Sequence, residues 1–375
     1  MQLFSVNYDI NHIKINFLGL KLSFAQPYRK KNVERFLKHE VLPNTVLITE
    51  INCCHLETLP AYCNYFKRLG YNVEVLVNGS DDGVFSRLPY KNKIWKLHTK
   101  EISEVLQNKE ICQKYEHIVI NSKVVYFPHK DIDIEDYLPD LAKGKYQNVY
   151  VQHHLEDYDE SLKQIVLANP AKKEYLNKFV VNPNYFGDVK ITPKNKITQF
   201  ITVGNLEAER RNIQLLIDAV EQLCKQNIKI FKIVVIGRGD LQALPKNIRN
   251  YFEIKGKLSF SDMYKALEIS DFFLPLLDPE NKAHGRYLTC GTSGSFQLIY
   301  GFKKPCIIHE KFANVYGFDE TNSICYAKNE KLGEKMSKAI NMKNSEYEVL
   351  IEGIKRLEKN VTELSIENLK GMLDD

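Results

Sequence analysis

The run ITQFITV (197–203) ends on Gly204, and FKIVVI (231–236) ends on Gly237. Between them Ile213, Leu216, Ile217, Val220 and Leu223 recur at spacings of three and four, which puts them on one face of a helix. Strands that are nearly continuous in apolar residues, rather than alternating, need cover on both faces. Strand, helix and strand in so short a span make a parallel βαβ unit, and few folds accommodate one.

The same plan occurs earlier in the chain. TVLIT (45–49) reads as a buried strand, Leu59, Cys63 and Phe66 share a helix face, Gly70 ends that helix, and NVEVLV (72–77) returns as a strand. Further strands are expected at 117–121, 148–152 and 178–182. The later set continues with 254–256, a helix capped by Ser261 and running to Ile269, a strand at 271–276, a helix within 291–301 and a strand at 304–309. A chain of 375 residues exceeds what one hydrophobic core usually serves. Residues 183–196 carry two prolines and a glycine among polar residues and suit a linker.

The expected class is α/β, with two doubly wound Rossmann-like domains. Residues 1–40 form a basic extension, in which Ile13, Ile15 and Phe17, a Gly19 turn, and Leu20, Leu22 and Phe24 alternate as a β-hairpin. The first domain then spans 41–185, a linker 186–196, the second domain 197–340, and a charged helical tail 341–375 is expected to pack back on the first domain.

Composition narrows the function classes. A charged fraction of 26% and a hydrophobic fraction of 44% describe an ordinary globular protein. No apolar run approaches the roughly 18 residues of a membrane span, and no leader pattern is visible. The eight cysteines are scattered, with no CxxC pair and no zinc-ligand spacing, so reduced thiols in the cytoplasm are expected. Asp131-Ile132-Asp133 has the form of a metal–nucleotide motif, but three letters in an acidic loop carry little, and no metal or cofactor is expected. No nucleic-acid partner is expected either. The net charge of +5 is unevenly placed: residues 1–40 hold Lys14, Lys21, Arg29, Lys30, Lys31, Arg35 and Lys38 against Asp9, Glu34 and Glu40. Such an edge suits peripheral contact with an anionic membrane, here its inner face.

In open parallel sheets ligands bind beyond the C-terminal ends of the strands. After 197–203 come Gly204, Arg210 and Arg211, and a guanidinium at a helix start can grip a pyrophosphate. After 231–236 two glycines flank Arg238, without the full GxGxxG of a dinucleotide site. The third exit is the most informative. His284, Arg286 and Tyr287 lead to Thr292, Ser293, Gly294 and Ser295, small residues that leave helix N–H groups open to an anion. In the first half, the loop after 45–49 carries Glu50, Asn52, His55 and Glu57. There His55 beside Glu57 is the candidate general base, with Glu50 and Asn52 as candidate acceptor contacts. His153 and His154, near Glu156 and Asp157, offer a second set of acceptor contacts beyond another strand end.

VGNLEAERRNIQLLIDAV, FKIVVIGRGD, ISDFFLPLLDP and GTSGSFQLIYGFKKPCII, in that order over residues 197–326, resemble the donor-binding domain of GT-B glycosyltransferases. The nearest likeness is to family 4-like enzymes that build bacterial lipooligosaccharide or capsular polysaccharide. The resemblance implies two domains facing across a cleft, with a nucleotide sugar on the second and a glycan or lipid-linked glycan acceptor on the first. It implies that Arg210 or Arg211 binds the donor phosphates and that Thr292–Ser295 forms the pyrophosphate cradle. Many members carry Glu in the helix after the cradle, where this chain has Phe296-Gln297-Leu298. Transfer of a hexosyl group to a hydroxyl of a growing surface glycan, without metal, is the function implied. The alternatives are a nucleotide-sugar epimerase of GT-B type and a non-catalytic sugar-binding partner of a glycan assembly complex.

Overall fold

The computed structural model describes residues 4–8, 12–18, 20–25, 29–79, 81–126, 131–139, 141, 147–167, 179–207, 209–238 and 244–374. The chain divides into two compact units: Met1–His153 with Asp157–Val166 and Ile366–Asp375, and His154–Glu156 with Leu167–Ser365.

The first unit is built on a six-stranded parallel sheet. Its order is Gln164–Val166, Asn148–Gln152, His117–Ile120, Thr45–Glu50, Asn72–Asn78, Lys93–Leu97. The chain winds outward from Thr45–Glu50 in one direction and then resumes at His117–Ile120 in the other. The crevice beyond these two strands is the place where such sheets bind ligands. The helix Lys30–Leu37 lies within the segment expected to be an extension, yet it buries Val33 and Phe36 in the same core as Leu47, Leu76 and Ile102. Ahead of it stands an antiparallel sheet of Phe4–Tyr8, His12–Phe17 and Leu20–Ala25, which contains the expected hairpin and one strand more. Gly19 itself lies outside the described residues.

The second unit repeats the winding. Phe252–Gly256, Phe231–Ile236, Thr198–Val203 and Phe272–Phe273 pair in that order, all parallel. A bridge from Phe273 to Cys306 leads on to the parallel pair Ile307–His309 and Ile324–Tyr326. Both faces are covered. Phe200, Ile233, Val235 and Phe272 pack with Leu216 and Val220 of the helix Ile213–Lys225, while Ile201, Val234, Ile236 and Phe273 pack with Leu267, Phe296 and Ile299. Burying both faces is why these strands read as apolar runs.

Three expectations are corrected. The strand expected at 271–276 stops at Phe273, because Pro275 has no N–H and Leu276 takes a left-handed φ of 53°. The helix Phe260–Ile269 is capped by Ser259, not Ser261: the Ser259 hydroxyl accepts the Asp262 amide at 3.1 Å. Of the strand expected at 178–182, the described residues keep an isolated bridge at Val180, and residue 178 lies outside them. The helix Asn344–Asp374 closes the chain. No helix among the described residues is long and apolar enough to cross a membrane.

Candidate functional site

Two glycines shape the second unit's strand exits. Gly204 has φ 130° and Gly237 has φ 143°, conformations that residues with a Cβ rarely adopt. A Cβ on Gly237 would sit 1.7 Å from the Gly204 carbonyl oxygen, so the two exits touch through bare backbone. The Leu206 amide donates to the Arg238 carbonyl at 2.8 Å and ties the loops together further on. Arg238 itself is exposed, and residues 239–243 beyond it lie outside the described set.

Arg211 lies against this exit. It is 6% exposed, and its guanidinium donates to the Val203 carbonyl at 3.0 Å, the Arg210 carbonyl at 2.6 Å and the Ser295 hydroxyl at 2.7 Å. All three acceptors are neutral, and its Nε has no partner among the described residues. Burial, with Arg210 beside it, pulls the Arg211 pKa down to about 10, which still leaves it charged at neutral pH. A buried cation without a counter-charge is costly unless an anion joins it.

Ser295 belongs to the first turn of the helix Gly294–Phe302. Ser293 caps this helix, its hydroxyl accepting the Ser295 amide at a long 3.4 Å. Ser293 and Ser295 are buried, Thr292 is half-buried and Gly294 is exposed. The structure thus joins Gly204, Arg211 and the Ser293–Ser295 helix start in one place. Arg210 is exposed beside them, with its guanidinium 3.5 Å from the Tyr287 hydroxyl.

The loop before that helix is braced from inside. His284 is fully buried, and its Nδ1 accepts the Asp278 amide at 2.9 Å. Asp278 in turn accepts from the Asn212 side chain at 2.8 Å, and Asn212 caps the helix that follows Arg211. His284, expected to contact a donor, is buried within the loop and holds the Asp278 amide there. Arg286 meets His154, Nη2 to Nδ1 at 2.6 Å, and Cys290 donates to Glu156 at 3.0 Å. A residue expected at the acceptor and one expected at the donor are therefore neighbours in the second unit, while His153 belongs to the first.

In the first unit the strand exits converge as the winding requires. Glu50 is completely buried, accepting from the Asn52 amide at 2.7 Å and from the Asn121 and Ser122 side chains, each at 2.6 Å. Burial raises its pKa against the opposing pull of His55 and these donors. Asn52, 1% exposed, donates to the Val124 carbonyl and accepts the Tyr126 amide, both at 2.9 Å. Glu50 and Asn52, expected to hold an acceptor, are committed to the loop's interior. Hydrogen-bonding capacity spent inside the loop is not available to a ligand.

Above this network the His55 ring stands 4.6 Å from the His153 ring, edge to face, and its Nδ1 lies 3.8 Å from the Glu57 carboxylate. His153 donates Nε2–H to the Asn121 carbonyl at 2.8 Å. His55 takes a left-handed φ of 61°, an uncommon conformation for a residue with a side chain. Burial opposes its charge, but the Cys54 sulfur and the Glu57 carboxylate outweigh it and lift the pKa to about 11. Burial also works to raise Glu57, and the His55 ring beside it reverses that and lowers it. A protonated ring has no lone pair with which to take a proton, so this upward shift bears against the base role expected of His55.

Asn121 and Ser122 escaped sequence reasoning, and Gln297 entered it only as a residue standing where many members carry Glu. The first two stand directly after an apolar strand, a placement that could have marked them. The side chain of Gln297, a residue 4% exposed in the first turn of its helix, has no hydrogen-bond partner among the described residues. Asp131–Asp133 forms a short strand whose Asp133 accepts the Glu135 amide at 3.0 Å, and no group of three or more potential ligands among the described residues could hold a metal.

No family model matches the chain, and no curated protein matches it in sequence. Solved structures do resemble it. A glycosyltransferase from Rickettsia africae ESF-5 superposes with a TM-score of 0.54 at 14% identity, covering 88% of this chain and 98% of that one. Anabaena HepE, solved in complex with UDP and glucose, gives 0.54 at 11% identity over 88% and 99%. AviGT4, a glycosyltransferase involved in avilamycin A biosynthesis, gives 0.55 at 10% identity over 88% and 98%. At such identities the likeness shows the fold: this chain is built of two Rossmann-like α/β domains of the GT-B kind, with an N-terminal hairpin, as its sequence implied.

Proposed function

We propose that this GT-B-fold chain transfers a sugar from a nucleotide-diphosphate sugar to a hydroxyl of a growing surface glycan. The carrying observation is Arg211, a buried cation with no carboxylate partner among the described residues, beside the first turn of the Gly294–Phe302 helix. A diphosphate would supply the missing charge, and the helix N-terminus would add N–H donors. Arg210, exposed beside it, would meet the outer phosphate.

In this reading the bond between the anomeric carbon and the phosphate oxygen breaks, and the diphosphate leaves with the electron pair. Arg211, Arg210 and the Ser293–Ser295 amides stabilise the charge that builds there. With cations and helix amides carrying that charge, the proposed transfer needs no metal. The acceptor hydroxyl, which we assign to His55 and Glu57, bonds through its oxygen to the anomeric carbon, and its proton passes to an oxygen of the departing diphosphate. Support for a surface-glycan acceptor comes from the family likeness of residues 197–326.

A screen of nucleotide sugars by thermal shift, followed by hydrolysis and transfer assays with and without a chelator, tests the proposal. The expected result is a raised melting point with one class of diphosphate donor, unchanged by the chelator and lost in Arg211→Leu. Binding without transfer to any acceptor would favour the sugar-binding partner, and turnover of the donor alone to an epimer would favour the epimerase. No response to any nucleotide sugar would end all three.

A further inference from the structure

The antiparallel sheet of the first unit has two unlike faces. Its register sets Phe17 opposite Leu20, Ile15 opposite Leu22 and Asn16 opposite Lys21. Because side chains alternate along a strand, Ile15, Phe17, Leu20, Leu22 and Phe24 share one face, and Asn16, Lys21 and Ser23 the other. The apolar face is open: Phe17 is 52% exposed, Leu20 59%, Leu22 40% and Phe24 50%, with Leu18 at the turn 62% exposed. Single exposed apolar residues are ordinary, whereas these adjoin on one face and, followed in sequence by a basic segment, give the region an amphipathic character.

Charge indicates what the face meets. Residues 1–40 hold seven basic and three acidic side chains, so they carry +4 of the chain's +5, and the remaining 335 residues nearly balance. Lys21, Arg29, Lys30, Lys31 and Lys38 are exposed. Size argues against a second protein copy. Three strands of this length present about 250 Å², and a stable interface takes about 800 Å² from each partner. Like charges on two such segments would also repel.

We propose that this sheet face seats in the headgroup region of an anionic bilayer, with the neighbouring lysines and arginines drawn to the headgroups. The proposal is independent of sugar transfer and is tested without it. The full-length protein is sedimented with vesicles of phosphatidylcholine alone, or of phosphatidylcholine mixed with phosphatidylglycerol, at low and at high salt. Binding to the mixed vesicles at low salt, weakened by high salt, is expected. Lys30→Glu with Lys31→Glu should reduce partitioning by at least about tenfold. Leu20→Ser, Leu22→Ser and Phe24→Ser together should abolish it while the far-ultraviolet circular dichroism and melting point stay unchanged. Equal binding to neutral vesicles, or none to either, would overturn the proposal. So would a concentration-dependent dimer that the triple serine variant dissolves, since the face would then serve a second copy.

Discussion

The Arg211 guanidinium donates a 2.7 Å hydrogen bond to the Ser295 hydroxyl, across 84 positions of sequence. The bond fixes one strand exit of the second unit to the start of the helix that follows another. It leaves Arg211 with oxygen neighbours but no neutralising charge among the described residues. Replacement by an apolar side chain should therefore separate folding from ligand binding. Arg211→Leu is expected to melt within a few degrees of the parent, because it removes an unpaired buried charge. Its affinity for a nucleoside diphosphate should fall at least about tenfold, the scale of a charge-assisted hydrogen bond. Calorimetric titration and thermal melting measure the two effects side by side.

His55 gives a prediction about pH. Its pKa is lifted to about 11 in the fold, so the charged ring contributes stability in full below the ordinary value near 6.5, and that contribution fades as pH rises toward 11. Nitrogen chemical shifts of His55 should stay flat from pH 6 to pH 8, about half a unit or more either side of where a free histidine titrates. Glu57→Gln should bring the titration back toward neutrality. A midpoint near 6.5 in the parent protein would restore His55 as a candidate base.

Gly237 admits no side chain. With φ at 143° and a Cβ projected 1.7 Å from the Gly204 carbonyl oxygen, Gly237→Ala must displace backbone on both strand exits. A loss of about 2 kcal/mol or more in urea unfolding is expected, from strain together with the steric overlap. Full stability in the alanine variant would mean that the two exits are not held in contact.

Gln297 should affect donor choice without affecting the fold. Gln297 is a buried residue whose carboxamide lies beside Gly294 with no hydrogen-bond partner among the described residues, and so has hydrogen-bonding capacity to spend on a ligand. Gln297→Leu is expected to leave the melting point unchanged or slightly raised. It should weaken an intact nucleotide sugar more than the bare nucleoside diphosphate, which competition binding would read out.

Much of the second unit was legible because buried parallel strands advertise themselves. Phe231–Ile236 is apolar at five of its six positions and ends on a glycine with positive φ. Edge strands gave weaker signals. Lys93–Leu97 carries lysines at its first and fourth positions and does not alternate, and Gln164–Val166 is three residues long; neither was foreseen. Site residues were legible by location more than by role. Arg211 and Ser295 were foreseen and do meet. Glu50 and His284 were foreseen as ligand contacts, and both hold hydrogen bonds inside their loops. Sequence places a polar residue at a strand exit, but whether its side chain closes inward depends on partners such as Asn121, Ser122 and Asp278, which are distant in the chain or have their own alternatives.

The last helix has a consequence for the order in which the protein is made. Residues up to Ser365 belong to the second unit, and Ile366–Asp375 belong to the first, where Leu369 and Met372 are buried and the Leu373 carbonyl accepts from Lys163 at 3.2 Å. The first unit leaves the ribosome early but lacks a piece of its surface cover until this segment emerges, long afterwards. Its apolar seat for Leu369 and Met372 stays open throughout synthesis of the second unit. A nascent chain arrested before Ile366 should accordingly hold a complete second-unit sheet beside a first unit still vulnerable to protease.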